Sequence, residues 1–389
     1  MPENDYHTIV YDDLGRLDAS AWDRLVDADP DANPFVRHAF LHAMQSSGAA
    51  SPDTGWFAQF VTLWRNNQLA AAIPFYVKTH SYGEYVFDWS WADAQERSGL
   101  PYYPKGLVAV PFTPVPGTRL IAADRPARRA AIAALLALTA TLDLTSLHVL
   151  FAPAEQIDDL ASAGMLVRTN LQFHWRNLGY QGFEAFLAAL TQPKRKKIRA
   201  ERRKVREAGI ELERRVGRDI REEDWRFFVR CYENTYATHG APPYLNLRFF
   251  HDIARLMPQN LMLVRATRDG RPVASALALL DRQRSALYGR YWGALAHVPC
   301  LHFECCYYQM IDFAIEQGLQ VFEGGAQGEH KLARGLDPVT THSAHWLREP
   351  AMRAAVRRFV VRERESVTAV IDELSEHRAF RAQAALGDR

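Results

Sequence analysis

The sequence predicts an α+β fold in two successive halves, each a mixed, mostly antiparallel sheet flanked by helices. Three observations carry this. Runs of β-type alternation are joined by tight polar turns, as in antiparallel hairpins. Helical patterns come in pairs between strand groups instead of alternating one for one with strands, which excludes a doubly wound parallel sheet. The order of elements in residues 1–180 is replayed in residues 181–389, although no repeated sequence is visible.

Residues 7–11 read as a strand. Ser20 reads as the cap of a helix running to about residue 28, with Asp23 in its first turn. A Pro-bounded turn at 30–34 leads into a second helix over 35–46. Residues 56–64 and 69–77 read as two long strands of a hairpin around Arg65-Asn66-Asn67. Residues 89–117 are rich in Pro, Gly and aromatics and carry little periodicity. Helix 127–142, strand 146–151, helix 153–163 and strand 167–178 complete the half.

The second half opens with helices 183–190 and 193–208, the latter stopped by Gly209. Strand 210–216 and helices 222–238 and 247–256 follow. Residues 261–267, 272–281 and 285–292 form a meander with turns at Asp269-Gly270 and near Arg282. An irregular piece at 293–299 leads into helix 302–316 and strand 319–322. Next comes a loop of four glycines among charged residues, Glu323 to Gly335, then strand 341–347 and an Arg-rich helix over 351–374. Glycine admits close backbone or ligand approach, and such a loop at a strand end is a usual place for chemistry.

Bulk composition excludes several classes. Lys+Arg number 47 against 45 Asp+Glu, so the net charge of +2 gives no general attraction for DNA. Cys231, Cys300, Cys305 and Cys306 form no CxxC pair, which predicts no zinc framework and a reducing compartment. The Met1-Pro2-Glu3-Asn4-Asp5 start lacks the pattern of a secretory signal. No apolar run reaches the roughly 18 residues of a membrane span. A cytoplasmic protein without metal is expected. The one charge cluster is residues 194–206, with nine basic residues against Glu201. It is a solvated helix or a phosphate-binding face.

Three blocks carry a family resemblance. In the second half these are Leu301-His302-Phe303-Glu304-Cys305-Cys306-Tyr307-Tyr308-Gln309, then Gly324-Gly325-Ala326-Gln327-Gly328-Glu329-His330-Lys331, then Ser343-Ala344-His345-Trp346. The first half adds Trp91-Ala92-Asp93, Tyr102-Tyr103-Pro104-Lys105 and Pro111-Phe112-Thr113-Pro114-Val115 with Gly117 and Arg119. Together they resemble the FemAB-like group of N-acyltransferases, and the element order of each half resembles the GNAT fold. The resemblance implies tandem GNAT-like domains, 1–180 and 181–389, with the basic helix 193–208 and the helix 351–374 in the second. It departs in one place. The GNAT loop that cradles the coenzyme A pyrophosphate is glycine-rich, whereas residues 292–302 here hold only Gly293. Either the phosphates are held differently or the acyl donor is not coenzyme A.

Acyl transfer to an amine needs a placed nitrogen, a proton acceptor and donors facing the developing oxyanion. Glu304 at a helix start, Glu323 at a strand end, His330 and Lys331 are the expected catalytic residues. Gln327, Glu329 and Arg334 of the glycine loop are expected to bind substrate. Trp91, Asp93, Tyr102, Tyr103 and Lys105 would do so from the first half. Lys194, Lys197, Arg199 and His302 are the expected cofactor-binding residues. Taken alone, Glu304 is equally a first-turn acid, Glu323 a strand-end ion pair and the 330–331 pair a surface loop. Trp91 and its aromatic neighbours read equally well as packing. Cys305 beside His302 reads as core more readily than as a thiol nucleophile.

The expected function is transfer of an acyl or aminoacyl group to an amine of a small polar acceptor or peptidoglycan precursor. The co-substrate would be acyl-coenzyme A or aminoacyl-tRNA, with no tightly bound cofactor. The alternative is a non-catalytic module that recognises peptidoglycan or a peptide through the same cleft.

Overall fold

The computed structural model describes residues 6–325, 328–376 and 379–380, with the side chains of residues 329, 375 and 376 left aside. The chain forms two compact units that exchange segments. Unit 1 comprises Met1–Asn170, Tyr244–Leu256 and Thr340–Thr368; unit 2 comprises Leu171–Pro243, Met257–Val339 and Ala369–Arg389. The sequence alone puts one seam near residue 180. The chain passes between units at Asn170 and Leu171 and returns twice, so most of the 351–374 helix lies in unit 1.

Unit 1 begins with β1 (His7–Tyr11), α1 (Ala19–Ala28) and α2 (His38–Ser46). Asp18 rather than Ser20 caps α1, its carboxylate accepting from the amides of Ser20 at 3.0 Å and Ala21 at 3.2 Å. The expected long hairpin is broken in both arms, giving β2 (Trp56–Ala58), β3 (Phe60–Arg65), β4 (Gln68–Ile73) and β5 (Phe75–Lys78). Its turn is as expected: Asn66 and Asn67 both take positive φ, 53° and 59°, which asparagine tolerates. The break falls at Gln59 and Pro74, where proline offers no N–H to a ladder, and it sends β2 and β5 to a different sheet from β3 and β4.

The stretch 89–117 is more regular than its composition suggests. It holds α3 (Trp89–Arg97) and β6 (Lys105–Val108). Then come β7 (Ile121–Ala122), α4 (Arg125–Thr141), β8 (Ser146–Leu150), α5 (Ala154–Ser162) and β9 (Leu166–Arg176). One sheet has the order β1-β3-β4-β7, and the other strands of the unit run β2-β5-β6-β8. β6 and β8 pair in parallel, with Leu107 opposite His148. Val61, Ile73, Phe75, Leu135, Leu147 and Val149 are core residues of this unit.

Unit 2 contains α6 (Phe183–Ala189), α7 (Gln192–Glu207), β10 (Ile210–Val216) and α8 (Glu222–Thr238). After α9 (Leu247–Leu256), which belongs to unit 1, it resumes with β11 (Leu261–Arg268), β12 (Arg271–Asp281) and β13 (Ala286–Ala294). A helix follows in three parts: α10 (Leu301–Phe303), a π-turn over Glu304–Tyr308, and α11 (Gln309–Glu316). Unit 2 then holds β14 (Val321–Glu323), while β15 (Asp337–Leu347) and α12 (Pro350–Glu376), which end the fold, lie mostly in unit 1. The strand order is β10-β11-β12-β13-β14-β9, antiparallel except for β13 and β14. The core includes Trp175, Phe186, Leu187, Met262, Leu287 and Phe322. Gly293 has a steric cause: a Cβ there would lie 1.9 Å from the Cys231 carbonyl oxygen, so glycine lets α8 press on β13. No helix among the described residues is long and apolar enough to cross a membrane.

Candidate active site

The pairing of β13 with β14 lasts only three residues, Ala286–Val321 to Tyr288–Glu323. The β12–β13 register then steps from Ala278–Gly289 to Leu277–Tyr291, so Arg290 is the extra residue of a bulge. A bulge bends its strand. β13 turns away from β14, and a cleft of about 110 Å³ opens between them. Tyr291 and Trp292 line one side, Gly324 and Gly325 the other, and His302 and Tyr307 reach in from the helix.

The π-turn decides which side chains the helix offers. Wider than an α-turn, it shifts the faces of the residues after it. His302, Cys306, Tyr307 and Met310 face the cleft, while Glu304 and Tyr308 face α7. The Glu304 Oε1 accepts from Gln309 Nε2 at 2.8 Å and lies 3.2 Å from Arg202 Nη2, and its other oxygen has no hydrogen-bond partner among the described residues. Only 2% exposed, Glu304 sits behind the cleft wall. The Glu323 Oε2 lies 3.8 Å from His174 Nε2. Burial, then Arg176 and Lys331, hold His174 at about 4, so this contact joins a carboxylate to a neutral imidazole.

The segment Glu329–Arg334 is a tight 3-10 helix. His330 is exposed, and its Nε2 lies 3.0 Å from the Tyr307 hydroxyl. Lys331 is only 2% exposed and donates to the Gly325 carbonyl at 2.6 Å. Arg334 bonds the His330 carbonyl at 2.7 Å and both oxygens of Glu201 at 2.9 Å, with its guanidinium 3.5 Å from the centre of the Phe303 ring. The Tyr308 hydroxyl also donates to Glu201. This clamp fixes the segment on α7.

The charges form a consistent set. Burial, and then Arg334, Lys331 and Lys197, lower the His330 pKa, so the imidazole is neutral at neutral pH. His302 is held at about 4 by burial and by His330, Arg334 and Lys331. Burial pulls Lys331 down to about 8. It pushes the Tyr307 phenol and the Cys305 and Cys306 thiols up, so the cysteines stay protonated and are poor nucleophiles.

The expected residues therefore divide. His302, His330 and Lys331 gather at the cleft or its edge, and Arg334 fixes the segment that carries two of them. Of the α7 cations, Lys197 is exposed and acts on His330, Lys194 is half-buried, and Arg199 pairs with Glu184 at 2.5 Å. Gln327 and the Glu329 side chain lie outside the described residues. In unit 1, Trp91, Tyr102 and Lys105 are buried; Tyr103 is half-buried with its hydroxyl 2.8 Å from Ser81 Oγ, and Asp93 is exposed. Tyr102 donates to Asp88 at 2.7 Å, and the Nδ1 atoms of His148 and His345 lie 2.7 Å apart, so these residues form an internal polar chain. Sequence reasoning missed Tyr307, Glu201 and Arg202. Glu201 did leave a signal, as the one acid within the basic run 194–206.

Unit 1 also contains a parallel pair, β6 and β8. In the loop after β6, Arg119, 1% exposed, donates to the carbonyls of Val115 at 2.6 Å and of Gly117 and Thr118 at 3.0 Å.

A family profile described as peptidoglycan biosynthesis/recognition, FemAB-like, matches residues 13–382. The chain belongs to the FemAB-like family. No curated protein matches this FemAB-like chain. Among solved structures, it is similar to FemX, at 10% identity and a TM-score of 0.55, over 90% of this chain and 100% of that one. It is similar to L-PGS from Bacillus licheniformis at 10% identity and 0.55, over 88% and 97%. A third is the C-terminal domain of a putative lysylphosphatidylglycerol synthetase from Agrobacterium fabrum, at 11% and 0.53, over 88% and 95%. At such identities the likeness is one of fold. The FemAB-like chain has a mixed α+β architecture, with mostly antiparallel sheets flanked by helices, and shares its fold with FemX.

Proposed function

We propose that the unit 2 cleft is the reaction centre of an acyl- or aminoacyltransferase acting on an amine, with a peptidoglycan precursor as acceptor. The observation that carries this is the Tyr307–His330 pair at 3.0 Å beside the buried ammonium of Lys331. A neutral imidazole accepts a proton from the attacking amine as the C–N bond forms. Lys331, charged below about pH 8, stabilises the oxyanion of the tetrahedral intermediate. The proton then passes to the leaving alkoxide or thiolate as its bond to carbon breaks. Glu304 and Glu323 support the walls.

Two observations favour an aminoacyl ester, such as aminoacyl-tRNA, over a coenzyme A thioester as donor. Gly293 is committed to packing under α8, and the Leu295 and Leu301 amides bond the Val273 and Val298 carbonyls at 2.8 and 3.2 Å. That loop also lacks the further glycines that let successive N–H groups converge closely on a pyrophosphate. The exposed cations of α7, with Lys197 near His330, suit a phosphodiester instead.

The test is turnover with aminoacyl-tRNA or acetyl-coenzyme A and a nucleotide-linked muramyl peptide, followed by mass spectrometry of the acceptor. His330→Ala should lose about 100-fold or more of the rate with an unchanged melting temperature. Full activity in that variant, or muramyl-peptide binding without turnover of any donor, would overturn the reading.

A further inference from the structure

The loop 79–90 of unit 1 is pinned from beneath. The Lys105 ammonium, wholly buried, donates to Ser81 Oγ at 2.7 Å, Glu84 Oε2 at 2.8 Å and Asp88 Oδ2 at 2.5 Å. A second buried lysine, Lys78, whose pKa burial pulls down to about 7, lies 3.8 Å from the centre of the Trp56 ring and donates to the Tyr82 carbonyl at 3.4 Å. Buried cations are costly unless paired, and the Lys105 pairing fixes one loop at three of its positions, with the Lys78 bond to Tyr82 adding a fourth.

Between these anchors the loop turns aromatic rings outward. Tyr82 is 58% exposed, Phe87 53% and Trp89 37%. The Tyr82 and Trp89 rings lie 4.9 Å apart at 61°. Tyr244, half-buried, stacks on Phe112 at 4.6 Å and 15°, and the Phe112 ring lies against the loop at Gly83, where a Cβ would come within 2.5 Å of it, so Tyr244 borders the same loop. A cluster of exposed rings marks a contact surface, whereas a single exposed ring does not. Rigid Tyr and Trp rings also lose little entropy when they bind.

The rim selects the ligand. The exposed charges of α3 are Asp93, Glu96 and Arg97, two acids against one base, and the lysines of the region face inward. Such a rim disfavours anionic lipid and nucleic acid, and its carboxylates accept hydrogen bonds. A flat ligand with weakly positive C–H faces and hydroxyl or amide donors at its edge fits both features, since ring faces are electron-rich. Equatorially linked pyranoses have this shape.

We propose that Tyr82, Trp89 and Tyr244 form a glycan-binding platform on unit 1 that takes an uncharged, equatorially linked pyranose chain. The platform shares no residue with the unit 2 cleft and does not depend on the transferase reading.

The experiment is calorimetric titration of the full chain with chitotetraose and with cellotetraose, using wild type, Tyr82→Ala, Trp89→Ala and His330→Ala. Both aromatic positions are exposed, so the variants should keep the wild-type melting curve. Wild type should bind at least one oligosaccharide, with affinity falling at least tenfold in Tyr82→Ala and in Trp89→Ala and unchanged in His330→Ala. Absence of binding, or equal binding by all four proteins, would overturn the proposal. So would sedimentation with phosphatidylglycerol vesicles, or a self-association, that Trp89→Ala abolishes, because the patch would then be a membrane or protein contact.

Discussion

Arg334 and Glu201 form a buried two-pronged ion pair, one guanidinium nitrogen standing 2.9 Å from each carboxylate oxygen while another holds the His330 carbonyl. The pair ties the segment carrying His330 and Lys331 to α7. It sets both the stability of that segment and the geometry of its bases.

Arg334→Met should destabilise unit 2 by about 3–5 kcal/mol, because it leaves the Glu201 carboxylate buried with only hydroxyl support. The double variant Glu201→Leu/Arg334→Met should recover much of that loss, since it strands no charge. Urea unfolding of the three proteins measures both. Equal losses in the single and double variants would mean that the pair acts through packing on Phe303 alone.

The pH profile of turnover should be bell-shaped. His330 must be neutral, and its lowered pKa puts the rising limb below the ordinary histidine value of about 6.5. Lys331 must be charged, so the falling limb sits at about 8. Lys331→Arg should move the falling limb upward or remove it, because a guanidinium stays protonated. A profile flat to pH 10 in wild type would exclude the ammonium from the chemistry.

Lys331 also couples folding to pH. Its folded pKa, about 8, lies below the unfolded value of 10.5, so between these values the unfolded chain holds a proton that the folded chain has lost. Folding stability attributable to this residue therefore rises with pH across that window, by about 3 kcal/mol in total. Below pH 8 both states are protonated and the burial penalty is constant. Wild type compared with Lys331→Met should show this difference in urea midpoints, and parallel curves from pH 7 to 10 would contradict it.

Glu304→Gln should keep turnover within about tenfold of wild type and lower the melting temperature by a few degrees. The amide oxygen can still accept from Gln309, but the ion pair with Arg202 is gone. A loss of activity beyond 100-fold at unchanged stability would place Glu304 in the reaction instead.

Local chemistry was legible in the sequence; long-range pairing was not. The Asn66-Asn67 turn was visible because few residues accept its dihedrals. The corner at Gln59 and Pro74 was hidden because the alternation on either side reads straight through it. β6 was hidden for another reason. All four of its residues, Lys105, Gly106, Leu107 and Val108, are buried, so there is no inside–outside period, and a lysine opens it. What makes that lysine tolerable, Ser81, Glu84 and Asp88, lies some twenty residues away along the chain.

The site divides in the same way. His330 and Lys331 stood out as neighbours in a glycine-rich loop. The partnership of Tyr307 with His330 depends on where a π-turn rotates the helix, and an ideal 3.6 period does not contain that information. The same turn directs Glu304 towards Arg202, although a helix start beside an irregular loop is a natural place to expect a catalytic acid.

The Arg119 guanidinium works as an internal rivet for unit 1. It gathers three carbonyls of the 115–118 loop, so Arg119→Met would orphan all three at once and should loosen that loop, at a cost of about 1–3 kcal/mol for each buried acceptor left without a donor. Loosened amide protection confined to residues 115–118 would be the signature.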